Sequence, residues 1–199
     1  MPHLLDSNKI NLENARILIA DDNENARKIL QDMLQAFGAR EIVAVHDGAE
    51  AKASLTRQQF DLLITDGSMP ECDGYELVRW LRNRPSDQER ITPAIIISAH
   101  VRESQVAAGR DCGANYIIAK PVSPQTLLER IFYITKDPRP FVIGDTYAGP
   151  DRRWKHQGPP GATEGRRKDD LPAEVGAIAG ANLSENELDS LITPQRVTP

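Results

Sequence analysis

Only two of the 199 residues are cysteine, Cys72 and Cys112. That is too few for a disulfide framework or a cysteine-based zinc site. Long apolar runs are missing as well: the longest, at residues 16–20 and 94–99, fall far short of the roughly 20 residues a membrane helix needs. The first six residues carry no basic stretch leading into an apolar one, so no secretory signal is expected. Excess positive charge is absent too, with 24 Lys+Arg against 29 Asp+Glu and a net charge of −5. A dedicated nucleic-acid binder has the opposite, strongly basic footprint. These absences describe a protein of a reducing cytoplasm. What is present is ordinary for a folded chain: 40% hydrophobic and 27% charged residues permit a packed core. The length allows one full domain with an appendage, or two small domains.

Composition shifts near residue 137. Residues 137–199 hold seven of the 13 glycines and eight of the 14 prolines. Only 11 of those residues are Leu, Ile, Val or Phe, too few to offset the entropy of ordering such a chain. The reading is therefore a leader over 1–14, one compact domain over 15–136, and a mostly disordered tail over 137–199. Within that tail, Ser184 and Glu187 form a capping-box start for a short helix over 184–192.

The front segment alternates two periods. Apolar runs at 16–21, 41–46, 60–65, 93–98 and 115–119 read as strands. Segments at 26–37, 48–58, 75–84, 103–112 and 124–135 carry helical spacing. Gly38, Pro85 and Gly113 supply stop signals, and Ser123 with Pro124 a start signal. Five near-continuously apolar strands, each followed by a helix, argue for a parallel sheet covered on both faces. Right-handed crossovers make this a doubly wound five-stranded α/β sandwich. Such sheets bind ligands outside the carboxyl ends of their strands.

Those ends supply Asp21, Asp22, Asp66, Ser98 and Lys120. Two like charges about 5 Å apart at an effective dielectric of about 20 repel by about 3 kcal/mol. A hard divalent cation such as Mg²⁺, which prefers oxygen ligands, removes that repulsion. A lysine and a strand-end hydroxyl then remain for an added anion. Each residue alone has a plainer explanation: an N-cap pair for Asp21-Asp22, a turn for Asp66-Gly67, a strand-end serine, a solvated lysine before Pro121. Their joint occurrence at one sheet edge is what points to a carboxylate nucleophile attacking a phosphoryl group.

Residues 15–136 resemble a response-regulator receiver domain of the CheY-like kind, and the resemblance implies a flavodoxin-like or CheY-like five-stranded sheet with strand order 2-1-3-4-5. The resemblance rests on Asp21-Asp22, on Asp66 followed by Met69-Pro70 and Asp73-Gly74, on Ser98-Ala99 and on Lys120-Pro121. It implies that Asp66 accepts a phosphoryl group from a phosphohistidine on a sensor kinase or a histidine phosphotransfer protein. It further implies that Asp22, Asp66 and the Ser68 backbone carbonyl ligate Mg²⁺ directly and Asp21 through water. Lys120 would pair with the phosphoryl oxygens, and Ser98 would donate a hydrogen bond to one of them. The resemblance also implies that Ser68 and His100, two residues beyond Asp66 and Ser98, tune acyl-phosphate lifetime; the plainer reading of His100 is a surface loop residue. The domain is then a signalling module that assists its own phosphorylation and dephosphorylation rather than an enzyme.

One position departs from the pattern. Receivers usually place an aromatic three residues before the lysine, and here that switch position is Ile117. Tyr116, one residue earlier, should face the other side of the strand. Phosphorylation is therefore expected to alter the loop at 98–102 and helix 103–112 without an aromatic flip.

The tail carries Tyr147-Ala-Gly-Pro-Asp-Arg-Arg-Trp154 and then Gly165-Arg-Arg-Lys-Asp-Asp170, which resembles a Gly-Pro-Asp-Arg-Arg extension found on some stand-alone receivers. Arg152, Arg153, Trp154, Arg166 and Arg167 suit docking of an acidic or phosphorylated partner; a solubilising tether and contact with a nucleic-acid backbone are the other readings. No helix-turn-helix or catalytic output signature is visible. The output is then phosphorylation-dependent contact with a downstream protein, or a phosphoryl shuttle or sink. An aspartyl-phosphate phosphatase wants a second acid where Ser68 stands. A flavin binder wants a Ser/Thr/Gly-rich phosphate loop where Asp21-Asp22 stand.

Overall fold

In a computed structural model of the chain, the structure describes residues 12–99, 102–144 and 146–152. In chain order the elements are β1 (Arg16–Ala20), α1 (Glu24–Ala36), β2 (Glu41–Val45), α2 (Gly48–Arg57), β3 (Leu62–Asp66), α3 (Gly74–Arg82) and α4 (Asp87–Arg90). There follow β4 (Ala94–Ser98), α5 (Glu103–Cys112), β5 (Tyr116–Ala119), α6 (Pro124–Thr135), β6 (Phe141–Ile143) and β7 (Ala148–Pro150). The first five strands form one parallel sheet in the order β2-β1-β3-β4-β5. The doubly wound CheY-like fold expected from the sequence is the fold observed.

Alternation along each strand divides the core in two. Leu18, Leu63, Ile96 and Ile117 face α2, α3 and α5, where Ala51, Leu55, Leu77, Val78, Leu81 and Val106 complete one cluster. Ile17, Ile19, Ile64, Ile95, Ile97 and Ile118 face Leu30 and Leu34 of α1 and Leu127 and Ile131 of α6. Both faces are covered, which is why the central strands carry almost no polar residue. Helix starts are fixed by side-chain caps. Asn23 accepts from the Asn25 and Ala26 amides, Asp47 from Glu50, Asp73 from Glu76 and Ser123 from Thr126. Each cap is worth about 1 kcal/mol.

The structure corrects the sequence reading in four places. Leu12, assigned to the leader, is buried in the second cluster, and Glu13 pairs with Arg40 at 2.7 Å. The short α4 was not anticipated, because four residues carry no readable period. Helix α3 ends at Arg82 rather than 84, since Asn83 is its cap and Arg84 precedes a proline.

The largest correction concerns the boundary at 137. Beyond it the chain continues as an antiparallel pair of strands, β6 with β7, packed against the start of β5. The buried guanidinium of Arg82 organises this junction. It donates to the carbonyls of Gly113 (2.9 Å), Arg90 (2.6 Å) and Thr92 (2.7 Å) and to Asn115 Oδ1 (3.3 Å). Its carbon also lies 5.3 Å from the centre of the Phe141 ring. Burial lowers its pKa to about 10, so it remains a cation at neutral pH. Gly113 takes a left-handed φ of 90° as the cap of α5. A Cβ there would fall 2.2 Å from the Ala148 carbonyl oxygen, so glycine is required twice over. Tyr147 donates to the Pro150 carbonyl at 2.6 Å, and Arg152 pairs with Asp111 of α5. Arg153, Trp154, Arg166, Arg167 and the helix expected at 184–192 lie outside the described residues.

Candidate functional site

Strand register brings the site together. Asp66 is the last residue of β3 and stands opposite Ile97. Ser98 is the last residue of β4 and stands opposite Ala119. Backbone bonds extend the ladder one step past the strands, with the Gly67 amide donating to Ile97 at 2.7 Å and that of Lys120 to Ser98 at 2.8 Å. Asp21 follows β1, and its amide donates to the Val45 carbonyl. Asp21, Asp66 and Ser98 are buried, while Asp22 beside them is exposed.

The geometry centres on Lys120. Its ammonium lies 2.9 Å from Asp21 Oδ2 and also contacts Asp66 Oδ1. Burial pulls the Lys120 pKa down, but hydrogen bonds and charge from Asp66 and Asp21 outweigh it and the net shift is upward. The remaining carboxylate oxygens are held by backbone: Asp21 Oδ1 accepts from the Asn23 amide at 2.9 Å and Asp66 Oδ2 from the Ser68 amide at 2.6 Å. Asp66 thus presents a fixed carboxylate with a cation at one oxygen.

All the donors suited to a metal here are oxygens, the chemistry that a hard divalent cation takes. Among the described residues no three acidic, histidine or cysteine side chains yet converge as a metal cage; the Lys120 ammonium stands between Asp21 and Asp66 instead. By donor type the residues fit such a cation, with the exposed Asp22 carboxylate the one still open to solvent.

The loop after Asp66 is shaped by close approach. A Cβ on Gly74 would fall 2.1 Å from the Asp66 carbonyl oxygen, so glycine is needed where α3 begins. Glu71 adopts a left-handed φ of 63°, an uncommon conformation for a residue with a side chain. Met69 is buried and Ser68 exposed. Cys72 is buried, because the loop folds down onto Gly48, where a Cβ would meet Cys72 at 2.7 Å. The Lys120-Pro121 bond is cis.

Ile117 is buried in the first cluster and Tyr116 in the second, on the opposite face. The Tyr116 ring lies 5.8 Å from the Arg130 guanidinium and 5.7 Å from that of Arg139. His100 lies outside the described residues. Sequence reasoning missed Tyr75, whose ring stands beside Ser98 and Gly67. Its place in the sequence, at the start of an amphipathic helix, marked it only as a helical residue. The one available signal was its position directly after the Asp73-Gly74 pair.

Comparison with known proteins agrees with this geometry. A family model described as the response regulator receiver domain matches residues 17–132. Chemotaxis protein CheY-3 of Vibrio cholerae is 32% identical over 120 residues, spanning 60% of this chain and 90% of that protein. The solved structure of CheY4 from Vibrio cholerae superposes with a TM-score of 0.55 at 31% identity, covering 59% of this chain and 95% of the other. The receiver domain of sensor histidine kinase PA1611 from Pseudomonas aeruginosa, solved with a magnesium ion in its active-site cleft, gives 0.54 at 29% identity, covering 60% and 95%.

Proposed function

The chain belongs to the response-regulator receiver family, and from that premise we propose that Asp66 is its phosphoryl acceptor, loaded from a phosphohistidine on a sensor kinase or histidine phosphotransfer protein. A carboxylate oxygen of Asp66 attacks phosphorus, the bond from phosphorus to the imidazole nitrogen breaks, and the imidazole leaves as a neutral ring once protonated. The protein's work is positioning and charge neutralisation rather than acid–base chemistry. Lys120 holds positive charge where the phosphoryl oxygens arrive, and the buried Ser98 hydroxyl donates to one of them. Asp21, Asp22, Asp66 and the Ser68 carbonyl would hold Mg²⁺. Bound there, the ion screens the negative charges that must meet during transfer. By the family resemblance, Ser68, which is exposed, and His100 are the positions that set the lifetime of the product.

The observation that carries this reading is the single ammonium of Lys120 shared by Asp21 and Asp66 at the carboxyl edge of the sheet. The product replaces one carboxylate charge with about −1.5 to −2, which biases the loop at 98–102 and helix α5 and so changes what a downstream protein sees. Among the described residues no helix is long and apolar enough to cross a membrane. The test is incubation of the full chain with acetyl phosphate and Mg²⁺, read by intact mass. Wild type is expected to gain the mass of one phosphoryl group. Asp66→Asn, or wild type with excess chelator, is expected to gain none. Equal gain by Asp66→Asn would overturn the assignment.

A further inference from the structure

Tyr75, at the start of α3, is the buried polar group that the mechanism above leaves unused. The residue is half-buried, its hydroxyl is fully buried and, among the described residues, that hydroxyl has no partner in hydrogen-bond geometry. The ring is bracketed by two glycines. A Cβ on Gly67 would fall 3.3 Å from Tyr75 Cε2 and 3.2 Å from Ser98 Oγ. A Cβ on Gly109 would fall 3.6 Å from Tyr75 Cε1 and 2.1 Å from Ile117 Cδ1. The phenol therefore enters between Gly67 with Ser98 on one side and Gly109 with Ile117 on the other. Burial raises its pKa, and the strongest opposing influence is hydrogen bonding toward the Ser98 side chain, so the two hydroxyls are neighbours, although the pair falls outside good hydrogen-bond geometry.

Packing alone does not explain this arrangement. A buried hydroxyl without a partner is destabilising, and phenylalanine would fill the same space without that cost. The hydroxyl earns its place only in a state that offers it an acceptor.

We propose that Tyr75 is a positioning residue for Ser98. When the Ser98 hydroxyl donates to an oxygen of the phosphoryl group on Asp66, the Tyr75 hydroxyl donates in turn to Ser98 Oγ. The chain runs from Tyr75 to Ser98 to the phosphoryl oxygen, and each bond polarises the next. Tyr75 thereby favours the phosphorylated conformation and ties the start of α3 to the end of β4. The inference rests on the phosphoryl-acceptor reading of Asp66.

The test uses beryllofluoride with Mg²⁺ as the phosphoryl mimic, titrated into the full chain and followed by fluorine NMR of the bound fluorides. Tyr75→Phe keeps the ring and removes one oxygen atom. It is expected to bind the mimic about fivefold more weakly than wild type, the loss of one hydrogen bond, while its unliganded thermal midpoint is equal or higher. In a Ser98→Ala background Tyr75→Phe is expected to have no further effect on binding, since the bond it removes acts through Ser98. Unchanged affinity of Tyr75→Phe would overturn the inference, and so would the same loss in both backgrounds. A lower unliganded midpoint for Tyr75→Phe would also overturn it, because the hydroxyl would then be paired before loading. Failure of wild type itself to bind would reject the Asp66 reading and this inference together.

Discussion

One ammonium serves two buried carboxylates, and most of the site's electrostatics follow from it. Removing the charge in Lys120→Met leaves Asp21 and Asp66 facing each other with Asp22 nearby. The side chain is 28% exposed, so solvent screens part of the loss, and the expected destabilisation is about 1 kcal/mol. The folded pKa of Lys120 lies above its ordinary 10.5. Its contribution is therefore fully present below that value and is lost as pH rises through the raised folded one. The difference in unfolding free energy between wild type and Lys120→Met, measured by urea titration, should be constant from pH 7 to about 10 and shrink above that. A difference that grew with pH would contradict the pairing. The strand-end residues were legible in sequence because each ends an apolar run whose partners are fixed by sheet order. Tyr75 was not, since its meaning depends on Ser98 across the sheet and on two glycines distant in the chain.

At the scale of elements, the main discovery is that the ordered chain passes residue 137. The strands β6 and β7 were hidden because each has three residues, and Ala148-Gly-Pro150 reads as a chain breaker. Their anchors, Arg82 and Gly113, lie in the preceding domain and cannot be linked to them by any local period. The five long strands, in contrast, announce themselves through unbroken apolar runs. Arg82→Met should cost about 3 kcal/mol, because it strips a cation from carbonyls at Gly113, Arg90 and Thr92 in the interior. Calorimetry of that variant checks the figure, and a loss under about 1 kcal/mol would mean the junction relaxes without it. Burial also pushes the Cys112 thiol up to about 11, consistent with a structural residue whose thiol donates to the Gly109 carbonyl at 3.1 Å.

For the whole molecule, the fold puts two features at opposite ends of the sheet. The carboxyl edge carries Asp21, Asp66 and Lys120, and the amino edge carries the hairpin, held by Arg82, Gly113 and the Arg152–Asp111 pair. Helix α5 is tied to the hairpin through Asp111, which pairs with Arg152. Truncation after residue 136 should lower the thermal midpoint by about 5 °C, since it uncovers Arg82 and the start of β5. An unchanged midpoint would show that the hairpin contributes nothing to the domain. The central claim remains the acyl phosphate on one aspartate, and borohydride reduction tests it most directly. Reduction converts a phosphorylated aspartyl residue to homoserine, so peptide mapping after treatment with phosphodonor and Mg²⁺ locates the acceptor. The account predicts homoserine at position 66 and aspartate at positions 21 and 22. Homoserine at 21 or 22 with an intact aspartate at 66 would contradict it.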